Sequence, residues 1–348
     1  MIVKSGMRNK RGNVWRILLL AGAVTAQAAE PDNVPSVLEN GAIVRRNGVY
    51  FNNRPLYASS DAPVAPYYYV LTGDRPLVRF GGPPWVDGHF VLGFQKKGGG
   101  SKWLLDFKSV EFRYFGGRVE WVASDPEFPG VTISLQALPL GLGSGLAAQA
   151  KVTGSVAGDC LVWIFGAAYR EDHVARIDAL VTPGPRSLGF EATQAQGNRV
   201  EVKDGVIRIE PPHGDNLRYT LATCNTPSEI RITDASQWKT PGTLLAGTAG
   251  SCPIVSGITP LTGDKPIIWS ARCRPETDKT AVASNSETDF RMAMERVEKL
   301  NNRVVSQTPD ARFDFMVRAV SHSMDGVWRG TTYAHGGSGP YPMPFLGW

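Results

Sequence analysis

Near its carboxyl end the sequence reads Tyr333-Ala334-His335-Gly336-Gly337-Ser338-Gly339, and Trp348 follows shortly after. Glycines let a backbone approach a ligand closely. Tyrosine, histidine and tryptophan add flat apolar faces with hydrogen-bond donors at their edges, a combination suited to hydroxylated rings. Tyr333, His335 and Trp348 are therefore the candidate substrate-binding residues. The same composition also suits a plain connector. A phosphate cradle is not indicated, because no lysine-serine pair follows the glycines and no buried strand precedes them.

The elements that must hold such a loop begin at the opposite end. Residues 1–28 carry Lys4, Arg8, Lys10, Arg11 and Arg16, an apolar run from Ile17 to Val24, and the small-residue pattern Ala26-Gln27-Ala28. That arrangement predicts a signal peptide spanning 1–28, hence an exported chain, periplasmic or extracellular. The apolar run is shorter than the roughly 20 residues a membrane span needs. The formal charge of +5 comes from 37 basic and 32 acidic residues, and removing the leader leaves 32 of each. A neutral mature chain lacks the basic footprint of nucleic-acid binding.

With 38 glycines, 25 prolines and 9% aromatic residues, the composition fits an all-β protein rich in turns. From about residue 41 to 273 the apolar period is two. Val110, Phe112 and Tyr114 alternate with Glu111 and Arg113; Val119 and Trp121 follow, then Val131, Ile133 and Leu135. Asp204-Gly205 between two valine-rich runs predicts a hairpin, as does Asn47-Gly48. Further strands are expected at Leu161–Phe165, Ser228–Ile232 and Pro266–Ala271. Many short strands with regular turn signals predict a large antiparallel β-sandwich over residues 29–280. Cys160, Cys224, Cys252 and Cys273 allow three disulfide pairings or four thiols. The absence of a CxxC or Cys/His cluster points to no metal, and no cofactor motif occurs.

The period then changes. Ser286-Glu287-Thr288-Asp289 reads as a capping box opening a helix with Phe290, Ala293, Met294, Val297, Leu300 and Val304 on one face. This linker helix is assigned to 281–308. Thr308-Pro309-Asp310 starts a second helix, with Thr308 as N-cap and a face of Phe313, Met316, Val317, Val320, Met324, Val327 and Trp328. So dense an apolar face calls for helical neighbours. Residues 309–348 are accordingly read as the first, incomplete part of a helical domain, cut within the apolar run Tyr341–Trp348; both helices capping the sandwich is the alternative.

This order of parts resembles a bacterial arrangement of β-sandwich, helical linker and (α/α)6 toroid used by glycoside hydrolases and phosphorylases. The segment from Thr308 to Trp348 is similar to the entry into such a toroid, with its TPD helix start, tryptophan, His-Gly loop and Gly-Trp. The words FNNRPLY, LTGDRPLVRFG and WLLDF resemble an exported bacterial family of unknown function linked to glycans. The resemblance covers roughly 46–348. It implies a mainly β, glycoside-hydrolase-like protein acting on an oligo- or polysaccharide, with Tyr333, His335 and Trp348 at a pocket mouth. A complete active site is not expected within this chain, and a non-catalytic glycan- or partner-binding sandwich is the alternative.

Glycosidases use two carboxyl groups, about 5 Å apart for retention or about 6.5–9.5 Å for inversion. With 32 acids the pair stays unassigned. Asp325 lies beside the His335 loop, either a reacting group or a helix-end carboxylate. Tyr169-Arg170-Glu171-Asp172-His173 reads as a solvated turn or a cleft wall. Trp85, in Pro84-Trp85-Val86-Asp87-Gly88-His89, either stacks a sugar or fills the sandwich edge, the second being preferred. Arg75 in the Gly73–Pro76 turn is placed to bind a carboxylate. Three consecutive tyrosines, Tyr67 to Tyr69, cannot share one strand face. Gly143-Ser144-Gly145 lacks the spacing of a nucleophile elbow.

Overall fold

The two-residue period builds two antiparallel sheets face to face. The computed structural model describes residues 34–51, 54–58, 68–82, 85–140, 145–170, 189–212, 218–263, 265–275 and 285–328, all within one compact unit, Asp32–Trp348. The predicted leader lies outside the described residues.

The larger sheet has ten strands. In spatial order they are Val37–Glu39 (β1), Ala42–Arg46 (β2), Ser109–Tyr114 (β8), Val119–Ser124 (β9), Thr132–Pro139 (β10) and Gly145–Thr153 (β11). Ile267–Pro275 (β19), Arg218–Cys224 (β16), Val206–Glu210 (β15) and Arg199–Lys203 (β14) complete it. The second sheet runs Glu229–Asp234 (β17), Pro253–Pro260 (β18), Cys160–Gly166 (β12), Trp85–Gln95 (β6), Leu77–Gly82 (β5), Tyr68–Thr72 (β4) and Arg54–Ala58 (β3). Ser101–Trp103 (β7) and Tyr169–Arg170 (β13) also pair with β6.

Facing residues from both sheets fill the gap. Phe90, Leu92 and Phe94 of β6 meet Trp121, Ile133, Leu135 and Trp269 from the other sheet. Trp163 and Trp269 pair edge to face, 6.4 Å between centroids. The outer face of β6 is buried too: Val91 joins Leu77, Val162, Ile164 and Leu244 in a second cluster. A short helix, Pro241–Ala246 (α1), helps cover it, capped reciprocally by Thr240 and Thr243.

Asp204 and Gly205 both adopt positive φ and close the β14–β15 hairpin as the sequence indicates. Asn47-Gly48 does not close one. Its flanking strand β2 pairs instead with β1 and β8, and the Asn47 side chain accepts from the Val110 backbone N–H at 2.9 Å. The turn thereby hands the chain to the other sheet. All four cysteines are free thiols.

Two helices follow β19. Ser286–Asn301 (α2) is capped by Asn285, whose side chain accepts from Thr288 N–H at 3.0 Å; the cap thus lies one residue before the predicted box. Phe290, Ala293 and Val297 bury against Leu138, Leu140, Ala147 and Ile268 on the outer face of the ten-stranded sheet. The ion pair Arg272–Asp289, 2.5 Å, ties the helix to β19. Val304, predicted to continue the apolar face, lies past the helix end and is exposed.

Ala311–Val327 (α3) starts two residues later than expected, with Asp310 as N-cap. Thr308 instead donates its backbone N–H to the Asp314 carboxylate at 3.1 Å. The helix docks through Phe315, edge to face with Tyr114 at 5.8 Å, and through His322. A Cβ on Gly117 would lie 2.2 Å from the His322 ring, so only glycine fits under it. Of the predicted face, Phe313, Met316, Val320, Met324 and Trp328 are each 37–53% exposed, whereas Val317 is half-buried and the Val327 side chain lies outside the described residues.

Candidate functional site

At one end of the sandwich the sequence inserts a residue into β6. Phe80 pairs with Gly88 and Gly81 with Val86, which leaves Asp87 as the extra residue of a bulge. Bulges re-aim side chains at sheet rims, and this one turns a carboxylate between the sheets. Asp87 Oδ2 accepts from Tyr68 Oη at 2.9 Å and from Arg218 Nη2 at 2.6 Å. Arg218 Nε donates to Cys273 Sγ at 3.2 Å, and Thr220 Oγ1 donates to the Asp87 carbonyl at 3.1 Å. Strands from both sheets thus converge on one acid that is 2% exposed.

Burial raises the Asp87 pKa, with Arg218 and Tyr68 opposing. Burial, and then the Asp87 charge, raises the Tyr68 phenol and the Cys273 thiol, so both stay protonated. Burial works against the Arg218 cation, yet Asp87, Cys273 and Tyr68 together more than offset it and the pKa is raised. The cluster is a closed, hydrogen-bonded ion pair. Such pairs cost a great deal when one partner is removed.

β13 pairs with β6 beside the bulge, Tyr169 opposite Val86 and Arg170 opposite Trp85. The Trp85 ring lies 5.9 Å from each of the Arg170 and Arg218 guanidinium carbons, and its carbonyl accepts from Tyr69 Oη at 3.1 Å. His89 faces outward from the sandwich core, stacked on Tyr169 at 6.3 Å and tilted against Phe190 at 5.3 Å. Burial, then Arg79, pushes its pKa down to about 3. Next to it Ala167 holds a φ of 60°. Asn198 clamps the following residue, accepting from Ala168 N at 2.9 Å and donating to Ala168 O at 2.6 Å.

Residues 83–293, more than half of the sequence, match the family described as a domain of unknown function, DUF4450. The chain belongs to the DUF4450 family. No curated protein matches it. A solved structure, a bacterial glucoamylase complexed with acarbose, is similar at a TM-score of 0.46 and 10% identity, covering 84% of this chain. The DUF4450 chain spans 39% of the length of that structure.

The sequence candidates fall unevenly on this DUF4450 chain. Tyr333, His335 and Trp348 lie outside the described residues, as do Glu171, Asp172 and His173. Asp325 is half-buried and forms an ion pair with Arg296 of α2, an inter-helix tie. Arg75 donates to the Phe107 carbonyl at 2.8 Å. Trp85, 3% exposed, fills the sandwich edge as preferred. Tyr68 and Tyr69 are both buried, one toward Asp87 and one toward Trp85.

The words around Trp85 and Tyr169, read separately in sequence, form adjacent strands. Asp87 went unremarked inside the first of them, although an Asp-Gly pair within a strand pattern is a bulge signal. Arg218, Tyr68 and Cys273 offered no comparable signal, because their meeting depends on the inter-sheet arrangement. Among the described residues no group of three or more His, Cys, Asp or Glu is placed to hold a metal ion. None of the described helices is long and apolar enough to cross a membrane.

Proposed function

We propose that this DUF4450 chain is the β-sandwich and helical-linker portion of an exported carbohydrate-active protein of the glycoside-hydrolase type, acting in glycan degradation. In that reading the sandwich forms one wall of a substrate cleft and braces a helical toroid against α3. The observation that carries it is the stripe Phe313, Met316, Val320, Met324 and Trp328, exposed along the helix that follows the sandwich. Monomeric proteins seldom leave a contiguous apolar patch of this kind bare. Its three- and four-residue spacing is that of a helix-packing ridge. Sandwich, linker helix and apolar helix occur in the order that the sequence resemblance implies.

Hydrolysis would follow acid/base attack at the glycosidic bond by two carboxyl groups. No described residue is assigned to that pair. Asp87 is the acid whose pKa burial raises at the rim, but it is enclosed by Tyr68 and Arg218. That enclosure favours the second reading, a non-catalytic glycan- or partner-binding module. The test incubates the purified chain with a panel of α- and β-linked oligosaccharides and follows reducing-end release and binding by calorimetry. Release supports the enzyme, binding without release supports the glycan-binding module, and neither at millimolar sugar overturns the carbohydrate reading in both forms.

A further inference from the structure

Where α2 ends and α3 begins, the chain leaves a groove of about 280 Å³ lined by Glu298, Asn301, Asn302, Val304, Ser306 and Arg318, with Val305 and Asp314 at its sides. That volume lies just under the lower end of ordinary small-ligand pockets, room for a single ring. Asn301, Asn302 and Arg318 present N–H donors; Glu298, Asp314 and the two amide carbonyls present acceptors. Val304 and Val305 form an exposed apolar shelf, 53% and 75% exposed.

Several of these groups are already fixed. Asn301 Oδ1 meets His322 Nε2 at 2.8 Å, and Asp314 accepts twice from Thr308 N at 3.1 Å. The hydrogen bonds from Thr308, first, lower the Asp314 pKa and hold it ionised. Among the described residues, by contrast, the Asn302 side chain makes no hydrogen bond and Arg318 no ion pair. Another surface groove of similar volume, about 290 Å³ and lined by Arg199, Val200, Glu201, Arg208 and Glu210, differs in this respect. There Arg208 pairs with Glu210 at 2.7 Å and Arg199 with Glu210 at 3.7 Å.

We propose that the α2–α3 groove is a binding subsite for one sugar residue, a proposal resting on the carbohydrate reading above. Vicinal hydroxyls donate and accept on neighbouring carbons, which the Asn302 amide, the Arg318 guanidinium and the Asp314 carboxylate match. The C–H face of a pyranose lies on the Val304–Val305 shelf. An anion would meet two carboxylates, Glu298 and Asp314. A metal ion would find no cluster of ligands. A nucleobase would find no aromatic face in the lining.

The experiment titrates the full chain with methyl glycosides of glucose, galactose, mannose and N-acetylglucosamine, and with the oligosaccharide panel, by ligand-observed NMR. Asn302→Ala, Arg318→Ala and Val305→Glu are compared with Arg199→Ala in the other groove. The expected result is a Kd weakened at least five-fold in the first three and unchanged in the last, with unchanged circular dichroism throughout. Sugar binding that survives all three substitutions overturns the subsite while leaving the carbohydrate reading intact. Absence of binding to every sugar by the unaltered chain overturns both.

Discussion

The rim of the sandwich and the outer side of α3 handle difficult side chains in opposite ways. At the rim, charge is buried: Asp87 and Arg218 are 2% and 6% exposed, and each polar contact is answered by Tyr68, Thr220 or Cys273. On α3, apolar surface is left in solvent, with Met316 and Val320 at 53% and 50% exposure. The Asp87 cluster is complete within itself. The second has the form of half an interface. A protein places buried charge where geometry is fixed, and leaves apolar surface open where another element is to dock. The contrast predicts that losing one partner at the rim costs stability, and that trimming the exposed α3 face does not.

The largest effect should come from breaking the rim. Arg218→Met removes the partner and leaves a carboxylate sealed between the sheets, so a loss of about 3–5 kcal/mol is expected in urea unfolding. Arg218→Met combined with Asp87→Asn should recover part of it, since the uncompensated charge goes too. A single variant losing less than about 1 kcal/mol would mean that water reaches the site.

A smaller effect separates the inner face of α3 from its outer face. His322 is 4% exposed against Gly117, and burial, then Arg296, lowers its pKa to about 4. A folded pKa below the unfolded value near 6.5 means the folded state binds fewer protons. The stabilising contribution is therefore complete above about pH 6.5 and is lost as pH falls toward 4, by up to about 3 kcal/mol. His322→Asn should flatten the stability profile across that window while lowering stability at pH 7. His89, lowered to about 3, extends the same trend to more acid pH. An unchanged profile in the variant would remove His322 as its source.

Much of the sandwich was legible because alternation reports burial directly: Phe112, Trp121 and Ile133 are each at most 1% exposed. Asp204-Gly205 read correctly since a primed turn needs nothing beyond its own two residues. Asn47-Gly48 misled because the same positive φ serves a crossover when a distant N–H, that of Val110, binds the asparagine. Both helices were visible from their 3.6 period, but their caps shifted to Asn285 and Asp310, where side chains compete locally for the same orphan N–H groups. The rim cluster was illegible for a different reason. Tyr68, Asp87, Arg218 and Cys273 are brought together by strand order, and no spacing in the sequence encodes it. The leading site residues, Tyr333, His335 and Trp348, lie outside the described residues.

The smallest expected change in stability is also the sharpest test of the comparison. If the α3 stripe is uncovered, replacing Met316 and Val320 with serine deletes surface already in contact with water. The transfer contribution then nearly vanishes, and stability should move within about 0.5 kcal/mol, as for ordinary surface sites. Binding of a hydrophobic dye should fall in the same variant. A stripe covered by another part of this chain predicts the reverse: each truncation would remove buried apolar area at about 25 cal/mol per Å² and leave a cavity, a loss of several kcal/mol for the pair. A stripe covered by a second copy gives a third signature. The loss would then depend on protein concentration, because association stabilises by mass action. Unfolding at two concentrations, with Phe315→Ala as the buried control on the same helix, separates the three cases.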